Sequence, residues 1–510
     1  MEQNDEAGID PPPAWSPVPP SRIAAQAALR EAPAWLGGVE AIVGSGFVLS
    51  SLPDRWVYSR DRSPYAVFQV RNSAVPATLP AAIACPGTVQ ELAGLLRYAR
   101  THSIPVVPFG AGSGVLGGTL PVAGELVIDL KRLNRILDLD EIDGTITVQA
   151  GMNGAQFEEH LNTRGFTSGH FPQSLHMSTV GGWAACRSAG QNSTRYGKFE
   201  DMVLGLEVVL PDGKLLRVRP MARHGAGPSL ASLFVGSEGA YGVISELTLR
   251  VWRQPEARRG LALAFPSVEA GLEALRATLQ SELRPAVVRL YDLTESLQRT
   301  SGKPPFDSRP ILAILEHCGL EPLAELESRL TCQICAGFDA VQAGPALYEE
   351  WQVNRFGSLS TPWQVQDYYV DTIEVVAGWS ALPGLYAATR DAVLAVSPEF
   401  HFGTHWSHVY PEGACQYMTL RLPPMPQQRA LDLLRTAWGR VQCLCLAAGG
   451  SIAHHHGIGL FRGPWLRQEL GTAAFGLLQD LKDCLDPQSL LVPGKLGLAA
   501  GARARRGDLP

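Results

Sequence analysis

Five glycines fall between Pro108 and Gly118, at 110, 112, 114, 117 and 118, and the residues after them forbid a helix. Gly112, Gly114 and Gly117 spell G-x-G-x-x-G. A dinucleotide fold of the Rossmann type sets a helix N-terminus beneath the pyrophosphate. Here Thr119–Gly124 puts Pro121 and Gly124 where that helix would run. The glycines must therefore act as a loop, whose backbone N–H groups can wrap a diphosphate because glycine tolerates positive φ. No Lys or Arg lies inside the run. A flexible turn after a strand at 104–109 is the alternative.

At 510 residues the chain exceeds what one core usually organises, so two domains are expected. A net charge of -6 with 18% charged residues describes a globular protein without a nucleic-acid-binding face. Nine scattered cysteines argue against a disulfide framework and for a reducing, cytoplasmic setting. Cys332 and Cys335 form C-x-x-C without a second pair, which favours a structural role over zinc or redox chemistry. The Pro-rich start has no secretory pattern, no stretch approaches a membrane span, and residues 1–35 and 498–510 read as disordered tails.

The pattern is α+β. Strands are predicted at 80–85, 104–108, 125–130 and 145–150, with helices at 88–102 and 154–163. A second small-residue stretch, Pro172–Gly182, and a third, Gly236–Gly242, read as further ligand-facing loops. Strands at 202–210, 215–219 and 243–251 surround the third. Beyond Pro255, helices at 268–279, 322–332, 381–396 and 427–448 alternate with strands at 286–291, 311–316, 399–410 and 415–422. That change of texture marks a second domain.

The series Pro108–Gly114, Ser178–Gly182 and Gly236–Gly239 with Gly242-Val243-Ile244 resembles the FAD-binding signature of vanillyl-alcohol-oxidase type flavoproteins. Within them, Gly413-Ala-Cys-Gln-Tyr417 and the run His454-His455-His456 resemble alkyldihydroxyacetonephosphate synthases. The resemblance implies a two-subdomain FAD-binding domain (36–256), an α+β cap over the flavin (257–450) and a C-terminal segment (451–497) returning to it. Pro108, Phe109, Gly110, Ala111, Gly112, Ser113 and Gly114 would hold the pyrophosphate. So would Gln173, Ser174, Leu175, His176, Met177, Ser178 and Thr179, followed by Gly181 and Gly182. Cys186, Arg187, Ser188, Ala189, Glu238, Gly239, Gly242, Val243 and Ile244 would line the adenosine and ribityl parts. No histidine stands in the first loop to bond the flavin covalently, so a dissociable FAD is expected.

The family also implies the reaction. D-2-hydroxyacid dehydrogenases of this superfamily show H-x-G-D-G-N-x-H and G-E-H-G-[IL]-G, which can hold a divalent metal. Here only His408 matches the first motif; Tyr417 stands for its second histidine and His455 for the glutamate, so no metal is expected. Adjacent histidines of an extended chain also point to opposite faces. A phenol beside imidazoles suits proton transfer, with the imidazoles easing ionisation of Tyr417 or relaying its proton. By resemblance, Tyr417 handles the C1 proton of acyl-dihydroxyacetonephosphate while flavin N5 captures that carbon, and a fatty alcohol replaces the acid without net redox. Arg289 would bind a substrate phosphate or carboxylate. An arginine of the family has no counterpart between Leu359 and Gln366; the nearest is Arg355. His170, His176, His401 and His405 are open between flavin neighbours and core. An FAD-linked oxidase or dehydrogenase of a hydroxylated small molecule is the alternative activity. A homodimer and peripheral membrane contact are left open.

Overall fold

The computed structural model describes residues 33–71, 78–357 and 360–498. The tails expected at 1–35 and 498–510 lie outside these residues except for 33–35 and 498. Strands β1 (Val48–Leu49), β2 (Ala82–Ala84), β3 (Val106–Phe109) and β4 (Leu126–Asp129) form a four-stranded sheet in the order β1-β2-β4-β3. The helix Val89–Thr101 packs Leu92, Leu95 and Leu96 on it and is N-capped by Thr88, whose hydroxyl accepts from the Glu91 amide. Strand β3 ends at Phe109 and releases the glycine loop, and no helix follows before β4.

Strands β5 (Ile136–Asp140), β6 (Thr145–Gln149), β7 (Phe166–Thr167), β8 (Val203–Val209), β9 (Leu215–Val218), β10 (Val243–Arg250) and β11 (Trp252–Arg253) follow. Five of them make an antiparallel sheet, β5-β6-β10-β8-β9, and β7 pairs with β11. The stretch Pro172–Gly182 departs from the loop expected there. Thr179 caps a helix over Val180–Cys186, so Gly181 and Gly182 lie in its first turn, and Leu175, Val180 and Trp183 enter the core. The reason is close packing: a Cβ on Gly181 would fall 2.5 Å from that of Ala150.

The second body carries β12 (Ala257–Phe265), β13 (Val287–Tyr291), β14 (Ile311–Gly319), β15 (Val341–Gln342), β16 (Tyr369–Gly378), β17 (His401–Val409) and β18 (Gly413–Leu422). They form one antiparallel sheet in the order β15-β12-β14-β13-β17-β18-β16. Helices Val268–Gln280, Glu321–Ala336, Leu382–Val396 and Gln427–Ala447 share a core with one face of it, built on Leu272, Leu275, Val288, Leu290, Trp406, Met418 and Leu420. Burying each large side chain of this set is worth about 1.5–3 kcal/mol, which fixes the register and leaves the alternate residues for the opposite face. Cys332 and Cys335 sit in one helix, and all nine cysteines are free.

The chain then returns to the first body. Val106 N–H donates to Leu490 O at 2.8 Å, Val492 N–H to Val106 O at 2.8 Å, and Leu460 N–H to Leu116 O at 2.9 Å. Helix Gly463–Leu485 contributes Phe475 to the core of the five-stranded sheet. No helix among the described residues is long and apolar enough to cross a membrane.

Candidate active site

Three glycine-bearing segments meet at the end of β3. A Cβ on Gly110 would lie 2.4 Å from Thr179 Oγ1, one on Gly239 would lie 3.1 Å from Pro108 Cγ, and one on Gly118 would lie 3.3 Å from Glu238 Oε2. The C-terminal segment joins them, because the Glu238 carboxylate accepts from Ile458 N–H at 2.6 Å and Gly459 N–H at 2.9 Å. Gly112 and Gly117 hold φ of 63° and 77°, conformations that favour glycine. Asp61, buried, accepts from Gly117 N–H at 2.8 Å and so anchors the far side of the loop. From Gly110 to Leu116 no backbone N–H donates to an acceptor among the described residues. A run of free amides beside close-packed glycines, with no basic side chain in the loop, fits a diphosphate well.

Not all of the residues expected at a flavin face this junction. Gln173 donates to Gly357 O at 2.8 Å, while His176 and Met177 are exposed, His176 lying 5.4 Å from Phe356. The Ser178 hydroxyl is taken by Trp183 Nε1 and Ser174 O, and Ser188 pairs with His170 at 2.9 Å. Arg187 is exposed and ion-pairs with Glu200 at 3.1 Å. Val243 and Ile244 are core residues of β10. Cys186 and Ala189 remain beside the loops as backbone and small side chains, and burial pushes the Cys186 thiol well above its ordinary range.

The cap supplies a second surface. In β13 and β18 one residue each is only half-buried among fully buried neighbours, Arg289 and Tyr417, and β17 matches them at His405, its exposed end at His401 aside. Cross-strand pairing makes a row, Tyr291–His405–Tyr417–Glu374, with Arg289 opposite Ser407 one pleat away. The His405 and Tyr417 rings stack with centroids 4.8 Å apart and planes 26° from parallel. A bulge after Ser407 gives His408 φ of 52° and aims its ring at His454 and His455, 5.0 and 4.7 Å away. His408 Nδ1 pairs with Ser193 Oγ at 2.7 Å, which ties the cap to the first body.

The histidine run sits over this row. Glu374, fully buried, accepts from His454 N–H at 2.5 Å, His456 N–H at 3.1 Å and Arg462 Nη1 at 2.6 Å. His454 Nε2 pairs with Tyr410 Oη at 3.0 Å, and Lys198 Nζ donates to His454 O at 2.6 Å. The Tyr417 ring lies 6.1 Å from that of His455 and 5.4 Å from that of His456. Contrary to the extended-chain expectation, adjacent histidines converge: His454 Nδ1 and His455 Nδ1 are 3.0 Å apart, because both backbone amides flanking His455 bend around one carboxylate.

Burial, and then the positive groups around them, hold His405, His408, His454 and His455 well below the usual imidazole value. These rings are neutral near pH 7. Burial pushes Tyr417 up to about 12, with Glu374 adding to it and Thr372 opposing it. The easing of tyrosine ionisation expected from the sequence is thus reversed in direction; neutral imidazoles can accept its proton but do not lower its pKa. His170 is a core histidine against Trp183 and Phe199, and His401, at the exposed strand end, lies tilted against Trp363 and Tyr368.

Glu374, Cys415, His454 and His455 bring ligand atoms within 4.8 Å of one another, a group able to hold a cation that sequence reasoning did not assemble. Arg462 already neutralises the carboxylate, and burial pushes the Cys415 thiol well above its ordinary value. Glu374 and Arg462 are the organising residues that the sequence reading missed. Alternation in Tyr369–Gly378 marks a strand and would have placed Glu374 on the face of Thr372.

Comparison with known proteins matches residues 80–219 to the FAD binding domain and residues 254–496 to the C-terminal domain of FAD linked oxidases. An alkyldihydroxyacetonephosphate synthase of Trypanosoma brucei brucei is 28% identical over 453 residues, 82% of this chain and 73% of that protein. Glycolate oxidase subunit GlcD of Bacillus subtilis (strain 168) is 27% identical over 466 residues, 88% of this chain and 94% of that protein. A solved alkyldihydroxyacetonephosphate synthase structure superposes with TM-score 0.75 at 22% identity, covering 96% of this chain and 86% of its own. With its α+β flavin body, its cap sheet and both domain matches, the chain belongs to the FAD-linked oxidase family of the vanillyl-alcohol-oxidase type.

Proposed function

We propose that the chain exchanges the acyl group of acyl-dihydroxyacetonephosphate for a fatty alcohol without net redox, on a non-covalently held FAD, in the cytoplasm. One observation carries this reading: Tyr417 is the half-buried phenol of β18, stacked on His405 and overhung by His455 and His456. Such a phenol, at a pKa of about 12, donates or returns a proton only to a partner formed in the reaction, and neutral imidazoles beside it can carry that proton. FAD, when bound, supplies the electron-deficient centre that the reacting carbon needs.

The chain's own residues do the rest. Arg289 holds the anionic end of the substrate, and Tyr417 handles the C1 proton with His455 or His456 as relay. The C1–O bond to the acyl group breaks and the fatty acid leaves as its carboxylate, a C1–O bond to the alcohol forms, the alcohol's proton leaves through the same imidazoles, and Tyr417 returns the proton to C1. The likeness to alkyldihydroxyacetonephosphate synthases supports this chemistry. Incubation of the holoenzyme with acyl-dihydroxyacetonephosphate and labelled fatty acid should put label into the ester while the flavin stays oxidised under anaerobic conditions. Absence of label would overturn the reading.

The cation-capable group at Glu374, Cys415, His454 and His455 favours a second reading, an oxidase or dehydrogenase of a D-2-hydroxy acid. That reading requires anaerobic bleaching of the flavin by such an acid.

A further inference from the structure

Hydrogen-bond donors without acceptors gather where the cap meets the first body. The guanidinium of Arg289 makes no hydrogen bond or ion pair among the described residues, and it lies 5.8 Å from the ring centre of Trp351. The guanidinium of Arg355 lies 5.0 Å from the same ring. Its Nε donates to Gln191 at 2.9 Å, its Nη2 to Asn192 Oδ1 at 3.0 Å and its Nη1 to Gln352 Oε1 at 3.5 Å, all neutral partners. The carboxylate nearest in effect, Glu316, is spent on Arg258 at 2.6 Å and on Tyr348 at 2.6 Å. Burial, opposed by Glu316 and reinforced by the charges of Arg258 and Arg289, draws Arg355 down to about 10, so Arg355 feels the field of Arg289.

An orphan adjoins each arginine. Asn192, 1% exposed, turns its oxygen to Arg355 and leaves Nδ2 without a partner. Ser407, 3% exposed, stands directly opposite Arg289 across the strand pair, on the same face, and its hydroxyl has no partner either. Leaving buried donors unmet costs free energy that an acceptor restores. Two guanidinium groups without an ion-pair partner also favour two negative charges, and a carboxylate brings only one.

We infer that Arg289, Arg355, Asn192 and Ser407 form a subsite for the dianionic phosphate of a monoester substrate, with Arg355 and Asn192 as specificity-determining residues. The inference rests on reading the Tyr417 face as the substrate site, and it holds whether the reaction there is acyl exchange or oxidation. Asn192 comes from the first body and the other three from the cap, so an anion bound here also locks the two bodies around the reacting atoms.

Binding to the FAD-loaded protein tests it, read by calorimetry and by perturbation of the flavin spectrum. The ligands are sn-glycerol 3-phosphate, its 1-oleoyl ester, inorganic phosphate and D-glycerate, the last offering a carboxylate on the same three-carbon frame. Glycerol phosphate should bind at least tenfold more tightly than D-glycerate and compete with inorganic phosphate. Tighter binding of the oleoyl ester would assign the phosphate to a lipid substrate, and equal binding to a small one. Arg355→Met, which keeps the stem over Trp351, should weaken glycerol phosphate about 10- to 100-fold and D-glycerate much less. Should that variant fail to load flavin, Ser407→Ala decides, with a several-fold loss expected. Equal affinity for the phosphate ester and D-glycerate, or unchanged affinity in a flavin-loaded variant, overturns the subsite. Acyl exchange is not among these readouts, so the failure of one proposal is distinguishable from that of the other.

Discussion

Glu374 and Arg462 form a fully buried ion pair, Oε1 to Nη1 2.6 Å, and its remaining acceptor capacity is filled by backbone N–H groups of the histidine run. The pair therefore shapes the loop that overhangs Tyr417. Removing one partner leaves an uncompensated buried charge, which costs about 3–5 kcal/mol. Arg462→Met should lower the unfolding free energy in urea by that order, and so should Glu374→Gln, which leaves the Arg462 charge uncompensated and keeps one acceptor oxygen for two backbone N–H donors. A stability change under about 1 kcal/mol in Arg462→Met would show that the pair does not hold the loop.

Acid should destabilise the protein in two stages. His170, buried, titrates at about 3 when folded, because burial and then Lys198 oppose its charge, against 6.5 ordinarily. The unfolded chain therefore binds the extra proton below about pH 6.5, and stability falls as pH drops, by about 1.4 kcal/mol per unit for each such histidine. His456, drawn to about 4 by burial against the pull of Glu374, adds to the same slope. Glu374 itself is held below the ordinary 4.5 by Arg462 and His456 against its burial, so its contribution is intact above that value and is lost beneath it. Urea titrations at pH 7.5, 6 and 5 should show the decline beginning near 6.5; constant stability down to pH 5 would contradict the neutral imidazoles.

Two glycines of the first loop separate packing from cofactor contact. A Cβ on Gly110 collides with Thr179, so Gly110→Ala should destabilise the apoprotein and weaken FAD together. A Cβ on Gly114 meets nothing within 4 Å. Gly114→Ala should leave the melting temperature of the apoprotein within a degree or two yet reduce FAD affinity at least tenfold, as read by fluorescence of released flavin. Wild-type affinity in Gly114→Ala would place the diphosphate elsewhere.

Acid precipitation should leave the yellow colour in the supernatant, since no histidine or cysteine stands between Pro108 and Gly118 to bond the flavin. Colour retained in the pellet would contradict that. Dialysis against a chelator should likewise leave acyl exchange unchanged, because Arg462 already occupies the carboxylate that a cation at Glu374, Cys415, His454 and His455 would need.

The glycine loop could be read from the sequence because Pro121 and Gly124 constrain the backbone locally, whatever packs around them. Strand β13 was legible for a similar reason: Val288 and Leu290 alternate with Arg289 and Tyr291. The helix that begins at Val180 was not, because its small residues are selected by contact with Ala150 and Gly110, which lie in other segments. Nor was the bend of the histidine run, since the carboxylate that directs it stands eighty residues earlier on β16. His408 illustrates the same limit, as its aim depends on a bulge set by pairing with β18.

The central claim, proton transfer by Tyr417 without net redox, is tested most directly by Tyr417→Phe in FAD-loaded protein, assayed for exchange of labelled fatty acid into acyl-dihydroxyacetonephosphate. The variant removes one hydroxyl and should keep a wild-type flavin spectrum while exchange falls by at least about 100-fold, the range for loss of a positioned acid–base. Exchange at the wild-type rate in a flavin-loaded Tyr417→Phe protein would contradict the account.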